Sequence, residues 1–127
     1  MRKFKIIYKK LSYRLIGLFY EIHNEVGGGH REKIYQKAIE CILKQEKIPF
    51  IAQYKVDLKF LNNKIGYYYL DFFIDNKIII EIKVGDLFKR KDIDQLYGYL
   101  KALNLKLGII VNFTKHKVYF RRILNNY

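Results

Sequence analysis

The stretch Tyr67–Val84, YYYLDFFIDNKIIIEIKV, most constrains what this chain can become. It consists of two runs of aromatic and β-branched residues, which are strand formers. The only break is Asp75-Asn76-Lys77, a turn sequence, so an antiparallel hairpin is predicted. Three charges are set into these runs: Asp71, Glu81 and Lys83. Side chains alternate faces along a strand, so Glu81 and Lys83 share one face. A three-residue loop sets Ile74 opposite Ile78 and Asp71 opposite Glu81. A two-residue loop would pair Asp71 with Ile80 and send the carboxylates to opposite faces. The odd loop is expected, with Asn76 or a neighbour in the left-handed region. Two carboxylates so close on a mostly buried sheet repel and are costly to desolvate. A divalent cation resolves this, and Lys83 adds a further positive charge. The competing reading is an edge hairpin with three solvated charges. Ile78 to Ile82 is apolar on both faces and favours a central strand instead.

Upstream, residues 1–10 are basic and read as a frayed arm or a short strand. Ser12 is a candidate N-cap, and Leu15, Ile16, Phe19, Ile22 and Val26 recur at helical spacing. That helix is expected to stop at Gly27-Gly28-Gly29. His23, near its end, reads as a capping or packing residue. A second helix is predicted from Arg31 to Gln45, with Ile34, Ala38, Ile39, Ile42 and Leu43 as its apolar stripe and Pro49 just beyond. Cys41 reads as a small core residue. Residues 52–60 alternate as a half-exposed strand, with Tyr54, Val56, Leu58 and Phe60 on one face, and Leu61-Asn62-Asn63-Lys64 is a turn.

Beyond the hairpin, 85–91 reads as a loop carrying Lys89, Arg90 and Lys91. A third helix is predicted over 92–102, with Ile93, Leu96, Leu100 and Leu103 towards the core and Gln95, Tyr99 and Ala102 at helical spacing. A buried strand (105–113) and a more exposed one (117–123) follow, the latter with Arg121 and Arg122, which are read as extending the basic surface. The order α-α-β-β-β-α-β-β suits an α/β sandwich with a mixed sheet.

Two motifs carry a resemblance. Asp71 followed by Glu81-Ile82-Lys83 resembles the D…ExK signature of the PD-(D/E)XK nuclease superfamily. Gly29-His30-Arg31-Glu32-Lys33-Ile34-Tyr35 is similar to the GxxExxY pattern that names a protein family within it. The likeness spans about residues 12–113 and departs at Gly28, where the family pattern has proline between two glycines. It implies a restriction-endonuclease-like fold, an αβββαβ core flanked by helices, and RecB-like nuclease chemistry. It also implies that Glu32 lies near a metal, where a helix-dipole role is the alternative, and that Gln95 helps orient the substrate. Tyr35 reads as a packing residue or hydroxyl donor.

Phosphodiester hydrolysis needs a positioned water, charge neutralisation on the phosphate and help for the leaving oxygen, all of which one or two Mg²⁺ or Mn²⁺ ions can supply. Magnesium takes hard oxygen ligands and keeps several waters. Asp71 and Glu81 are the expected ligands, with the carbonyl of Ile82 a third. A lysine base must shed its proton, which adjacent carboxylates oppose, so charge stabilisation is the role expected of Lys83. Lys89, Arg90, Lys91 and Tyr99 are expected to contact nucleic acid. The net charge of +13 agrees with a polyanionic partner. DNA is the expected substrate, with a homodimer or a protein partner a further expectation. A non-catalytic nucleic-acid-binding or assembly module on the same fold is the rival reading.

With 127 residues, half of them apolar, a single domain with one core is expected over 1–127. One cysteine excludes an intramolecular disulfide and a cysteine-based zinc site. No signal peptide or transmembrane span is read at the basic start, so no membrane association and a cytoplasmic location are expected.

Overall fold

A computed structural model describes residues 5–125. Helices α1 (Lys9–Val26) and α2 (Glu32–Gln45) precede strands β1 (Phe50–Phe60), β2 (Asn63–Ile74) and β3 (Ile78–Val84). Helix α3 (Arg90–Leu103) and strands β4 (Leu107–Phe113) and β5 (Val118–Leu124) complete the order. The five strands lie in the sequence β1-β2-β3-β4-β5, so β3 is the central strand. All neighbours are antiparallel except β3 and β4, which run parallel and are joined by α3. This is the mixed sheet and α/β sandwich that the sequence predicts.

The sheet separates two apolar layers. Phe72, Ile74, Ile78, Ile80, Ile82, Ile109, Val111 and Phe113 pack with α1 and α2. Phe73, Ile79 and Ile110 pack on the other face with Leu96, Tyr99 and Leu100 of α3. Because β3 and β4 are covered on both sides, they carry nearly unbroken apolar runs.

The Asp75-Asn76-Lys77 loop has the predicted length. Asp75 and Asn76 take φ of 50° and 54°, the Lys77 N–H donates to the Ile74 carbonyl at 2.8 Å, and Ile74 faces Ile78. The turn between β1 and β2 is only Leu61-Asn62, with φ of 51° and 66°. Asn63 and Lys64, expected in the turn, already belong to β2.

The glycine turn ends α1 at Gly27, with φ of 79°. A Cβ on Gly28 would overlap the Lys115 carbonyl, so the turn is packed against the β4–β5 connection. This leaves no space for the proline of the family pattern. His23 tethers the same connection through the Thr114 carbonyl at 2.8 Å, a packing role as expected. Tyr35 is fully buried, stacks on Phe113 with centroids 4.2 Å apart, and donates its hydroxyl to the Gly27 carbonyl at 2.8 Å. It locks the glycine turn onto the sheet.

Several local expectations are corrected. Ser12 is not an N-cap. It lies inside α1, buried, with its hydroxyl on the Lys9 carbonyl, and Tyr8 occupies the cap position. Residues 5–10 form no strand; residues 1–4 of that basic arm lie outside the described residues. The fully buried stripe of α2 is Tyr35, Ile39 and Leu43, with Ala38 and Ile42 packed against the core beside it as expected. Ile34 flanks it and is exposed, and Cys41 sits on the opposite face and is exposed. Arg90 and Lys91 are not in a loop but in the first turn of α3. Arg122 is half-buried and donates to the Ile7 carbonyl, so it tethers the start of the chain instead of extending a basic surface.

Candidate active site

The β2–β3 ladder stops at Phe72–Ile80. The next residues, Asp71 and Glu81, face each other, but their side chains replace the ladder. Glu81 Oε1 accepts the Asp71 N–H at 3.1 Å, and Asp71 Oδ2 accepts the Ile82 N–H at 2.7 Å. Each carboxylate thus satisfies a backbone donor of the other strand, which the splitting strands would otherwise leave unpaired in a half-buried place. The predicted pairing of Asp71 with Glu81 is present.

A second irregularity meets the first. Gln53 of β1, across from Asp71, takes φ of 52°, and its side chain favours the charged form of the Asp71 carboxyl. At this point the apolar alternation changes face in both strands. Phe50, Ala52, Phe72 and Ile74 belong with α1 and α2, whereas Tyr54, Val56 and Leu70 belong with α3. The face change lies at Asp71, between Leu70 and Phe72, where the carboxylate turns to the Ile82 N–H of β3.

The electrostatics follow from that position. Burial pushes the Glu81 carboxyl up to about 8; the neighbouring Asp71 charge adds to the rise, while the Asp71 N–H and Lys83 oppose it. Asp71 is raised as well, its burial outweighing the bond from Ile82, the Gln53 side chain and the charge of Lys83. Two carboxyls opposed in this way share protons as a unit. Glu32, the first residue of α2, is exposed, and it senses the Asp71 charge. Its carboxyl is raised by partial desolvation and then by the Asp71 charge.

Lys83 is half-buried on β3, two residues beyond Glu81, and its ammonium lies 3.6 Å from Asp92 of α3. Asp92 also accepts the Lys89 N–H at 2.8 Å, and this bond, ahead of the Lys83 charge, holds its carboxyl below the usual range. Asp92, Gln95 and Tyr99 recur at three- and four-residue spacing and so form one stripe of α3. Gln95 is exposed. Tyr99, expected to contact nucleic acid, is instead buried under Tyr68, with centroids 5.1 Å apart. Burial first, and then the Glu81 charge, push its hydroxyl up to about 12. Lys89, Arg90 and Lys91 are exposed at the start of α3, beside the Lys83–Asp92 pair.

The structure therefore brings together Asp71, Glu81, Lys83 and Glu32, with Gln95 and the basic residues at the rim. Two contributors were not foreseen: Gln53, which lies across from Asp71 and favours its charged form, and Asp92, which holds Lys83. Asp92 had a signal in its spacing, three residues before Gln95; Gln53 had none beyond its place in a strand. Among the described residues no three His, Cys, Asp or Glu side chains group closely enough to hold a metal by themselves. Asp71 and Glu81 nonetheless fit a hard divalent ion, which needs only one or two carboxylates when water and substrate complete its shell. Their proton affinity is raised chiefly by burial, a cost that a bound cation would offset.

No helix among the described residues is long and apolar enough to cross a membrane. Comparison with curated proteins finds no match. Among solved structures, the chain is similar to the crystal structure of SSO0001, with a TM-score of 0.56 and 21% sequence identity. The likeness covers 75% of this chain and spans half the length of that one, and at this identity it speaks for the fold. A family model of the PD-(D/E)XK nuclease superfamily matches residues 9–123, which include both motifs and every element of the sheet. With the split hairpin, the opposed carboxylates and the lysine two residues on, this chain belongs to the PD-(D/E)XK nuclease superfamily.

Proposed function

We propose that this chain is a single-domain, metal-dependent nuclease of the cytoplasm that hydrolyses phosphodiester bonds, with DNA as substrate, and that it falls in the GxxExxY branch of its superfamily. The observation that carries the reading is the Asp71–Glu81 pair, built into the split between β2 and β3 with Lys83 on the adjoining turn of the pleat. A pair held this way is preorganised. The Ile82 N–H holds Asp71, and the Asp71 N–H holds Glu81.

Asp71 and Glu81 would hold one or two Mg²⁺ or Mn²⁺ ions, with the Ile82 carbonyl as a further oxygen donor. When bound, the metal supplies charge neutralisation on the phosphate and a more acidic water. The chain's own residues supply the rest. The Glu81 carboxyl, with its pKa near 8, gives up a proton as the site is loaded. Lys83 stands beside the pair as a fixed positive charge for the phosphate oxygens as negative charge develops on them. Gln95 orients the substrate at the rim. Glu32 adds negative charge from α2 near the pair without joining it as a ligand cluster, and Lys89, Arg90 and Lys91 hold the backbone phosphates on either side of the scissile one.

The test is incubation of labelled single- and double-stranded DNA and RNA with Mg²⁺, with Mn²⁺ and with chelator, beside Glu81→Ala. Metal-dependent cleavage that disappears in the variant establishes the nuclease. Salt-sensitive binding that ignores chelator, with no cleavage under any condition, supports the binding module instead.

A further inference from the structure

The β2–β3 ladder spans only Phe72 to Ile74 of β2, whereas β1 and β2 pair along nearly their whole length. Residues 54–70 therefore leave the main sheet as a two-stranded arm that begins at the carboxylate pair. One face of the arm rests on α3 through Tyr54, Val56, Tyr68 and Leu70. The other face, uncovered by the described residues, carries Tyr67 and Tyr69, 53% and 54% exposed. Cross-strand from them stand Asp57 and Lys55. Lys55 and Lys64 both hold their ammonium groups over the Tyr67 ring, at 4.6 and 5.3 Å. Asp57 lies between these lysines, 4.0 Å from Lys55 and 3.3 Å from Lys64, so the cluster keeps a net positive charge. Tyr69 meets Tyr67 edge-on, with centroids 5.6 Å apart and planes at 82°, and among the described residues no lysine lies over its ring.

We propose that this face is a binding pad for the unpaired nucleotides of a single strand as it leaves the active site. This rests on the nuclease reading and deepens it by naming the form of nucleic acid the chain prefers. Tyr69 lies two residues before Asp71, about 7 Å along the strand, which is within one nucleotide of the carboxylate pair. A base stacks on its ring, and Tyr67 acts as a post that gathers Lys55 and Lys64 to meet the adjoining phosphate. The chemistry selects a single strand because the faces of bases in a duplex are already stacked on one another. An acidic protein surface would use the lysines but not an aromatic ring held beside them. A free ring beside a second ring that gathers two ammonium groups offers both a stacking face for a base and a partner for its phosphate.

The experiment measures binding of labelled single-stranded and blunt duplex DNA by anisotropy, in chelator so that nothing is cut. The proteins compared are wild type, Tyr69→Ala, Tyr69→Phe and the double variant Lys55→Ala/Lys64→Ala. Tyr69→Ala is expected to weaken single-strand binding about tenfold and leave duplex binding within about twofold, with Tyr69→Phe close to wild type. The lysine variant should flatten the salt dependence of single-strand binding by about 0.7 in log–log slope for each lysine removed. The proposal is overturned if Tyr69→Ala binds single strands as wild type does, or loses single-strand and duplex binding equally. It is also overturned if the variant changes the sedimenting mass of the free protein, which would make the arm an interface between copies of the chain. Cleavage is assayed separately with metal, so failure of the nuclease reading leaves a different record: binding by the arm intact and no product.

Discussion

Replacing Glu81 by glutamine is expected to stabilise the metal-free protein, and to do so more as the pH rises. The Glu81 carboxyl is pushed from 4.5 up to about 8, chiefly by burial. The folded state therefore binds this proton more tightly than the unfolded chain. Its contribution is fully present below about 4.5 and is lost as the pH climbs through about 8. At about 1.4 kcal/mol for each tenfold change in proton affinity, the loss has a ceiling of about 5 kcal/mol. Asp71 shares the titration, so about 2 kcal/mol at pH 9 is the magnitude expected. Glutamine has the shape of glutamate, keeps an oxygen for the Asp71 N–H and carries no charge to desolvate. Thermal melts of wild type and Glu81→Gln in chelator, from about pH 5 to 9, should diverge upwards. The variant should gain roughly 8 °C at the alkaline end for a chain of this length. Mg²⁺ should raise the wild-type melting temperature and leave that of the variant where it is. Parallel curves, or a variant less stable than wild type at about pH 9, would refute the reasoning.

Four further outcomes follow from the same geometry. Metal binding near pH 7 should release close to one proton per site, measurable by calorimetry in buffers of different ionisation enthalpy, because the Glu81 proton must leave. Lys83→Ala should lower single-turnover cleavage by about a hundredfold or more yet keep the metal-induced rise in melting temperature, since the carboxylates remain; Asp92→Asn, which removes the ion-pair partner at 3.6 Å but keeps an oxygen for the Lys89 N–H, should cost less than about 1 kcal/mol. Gly28→Ala should cost about 1–3 kcal/mol in a denaturant melt, because its Cβ has nowhere to go but into the Lys115 backbone.

Much of the site is legible in the chain because it depends on local counting. A three-residue loop and period-2 alternation suffice to oppose Asp71 and Glu81, and the register bears this out. Three glycines suffice to end α1, and the second helix begins within a residue of its expected start. What escaped depends on partners far away in sequence. The alternation of β1 places Tyr54, Val56, Leu58 and Phe60 on one face, but only Val56 is buried and Phe60 is 63% exposed. The strand leaves the sheet at Gln53, and nothing in its own residues marks that departure. Tyr99 looked like a surface residue because nothing near it in sequence announces that Tyr68 will cover it. Arg122 looked free because its acceptor, the Ile7 carbonyl, is at the other end of the chain.

By itself, the sequence determined the elements, their order, the central place of β3 and the facing of the two carboxylates. Each of these follows from periodicity, from loop length or from which residues tolerate burial. The tertiary structure alone decided that the β2–β3 ladder splits where those carboxylates meet, so that they bond backbone N–H groups in place of the ladder. It alone brought Asp92 to Lys83 and Glu32 towards Asp71, and freed the tyrosine–lysine face of the arm. The physical reason is that hydrogen-bond satisfaction and desolvation are settled between elements, and a buried charge is defined by its neighbours in space.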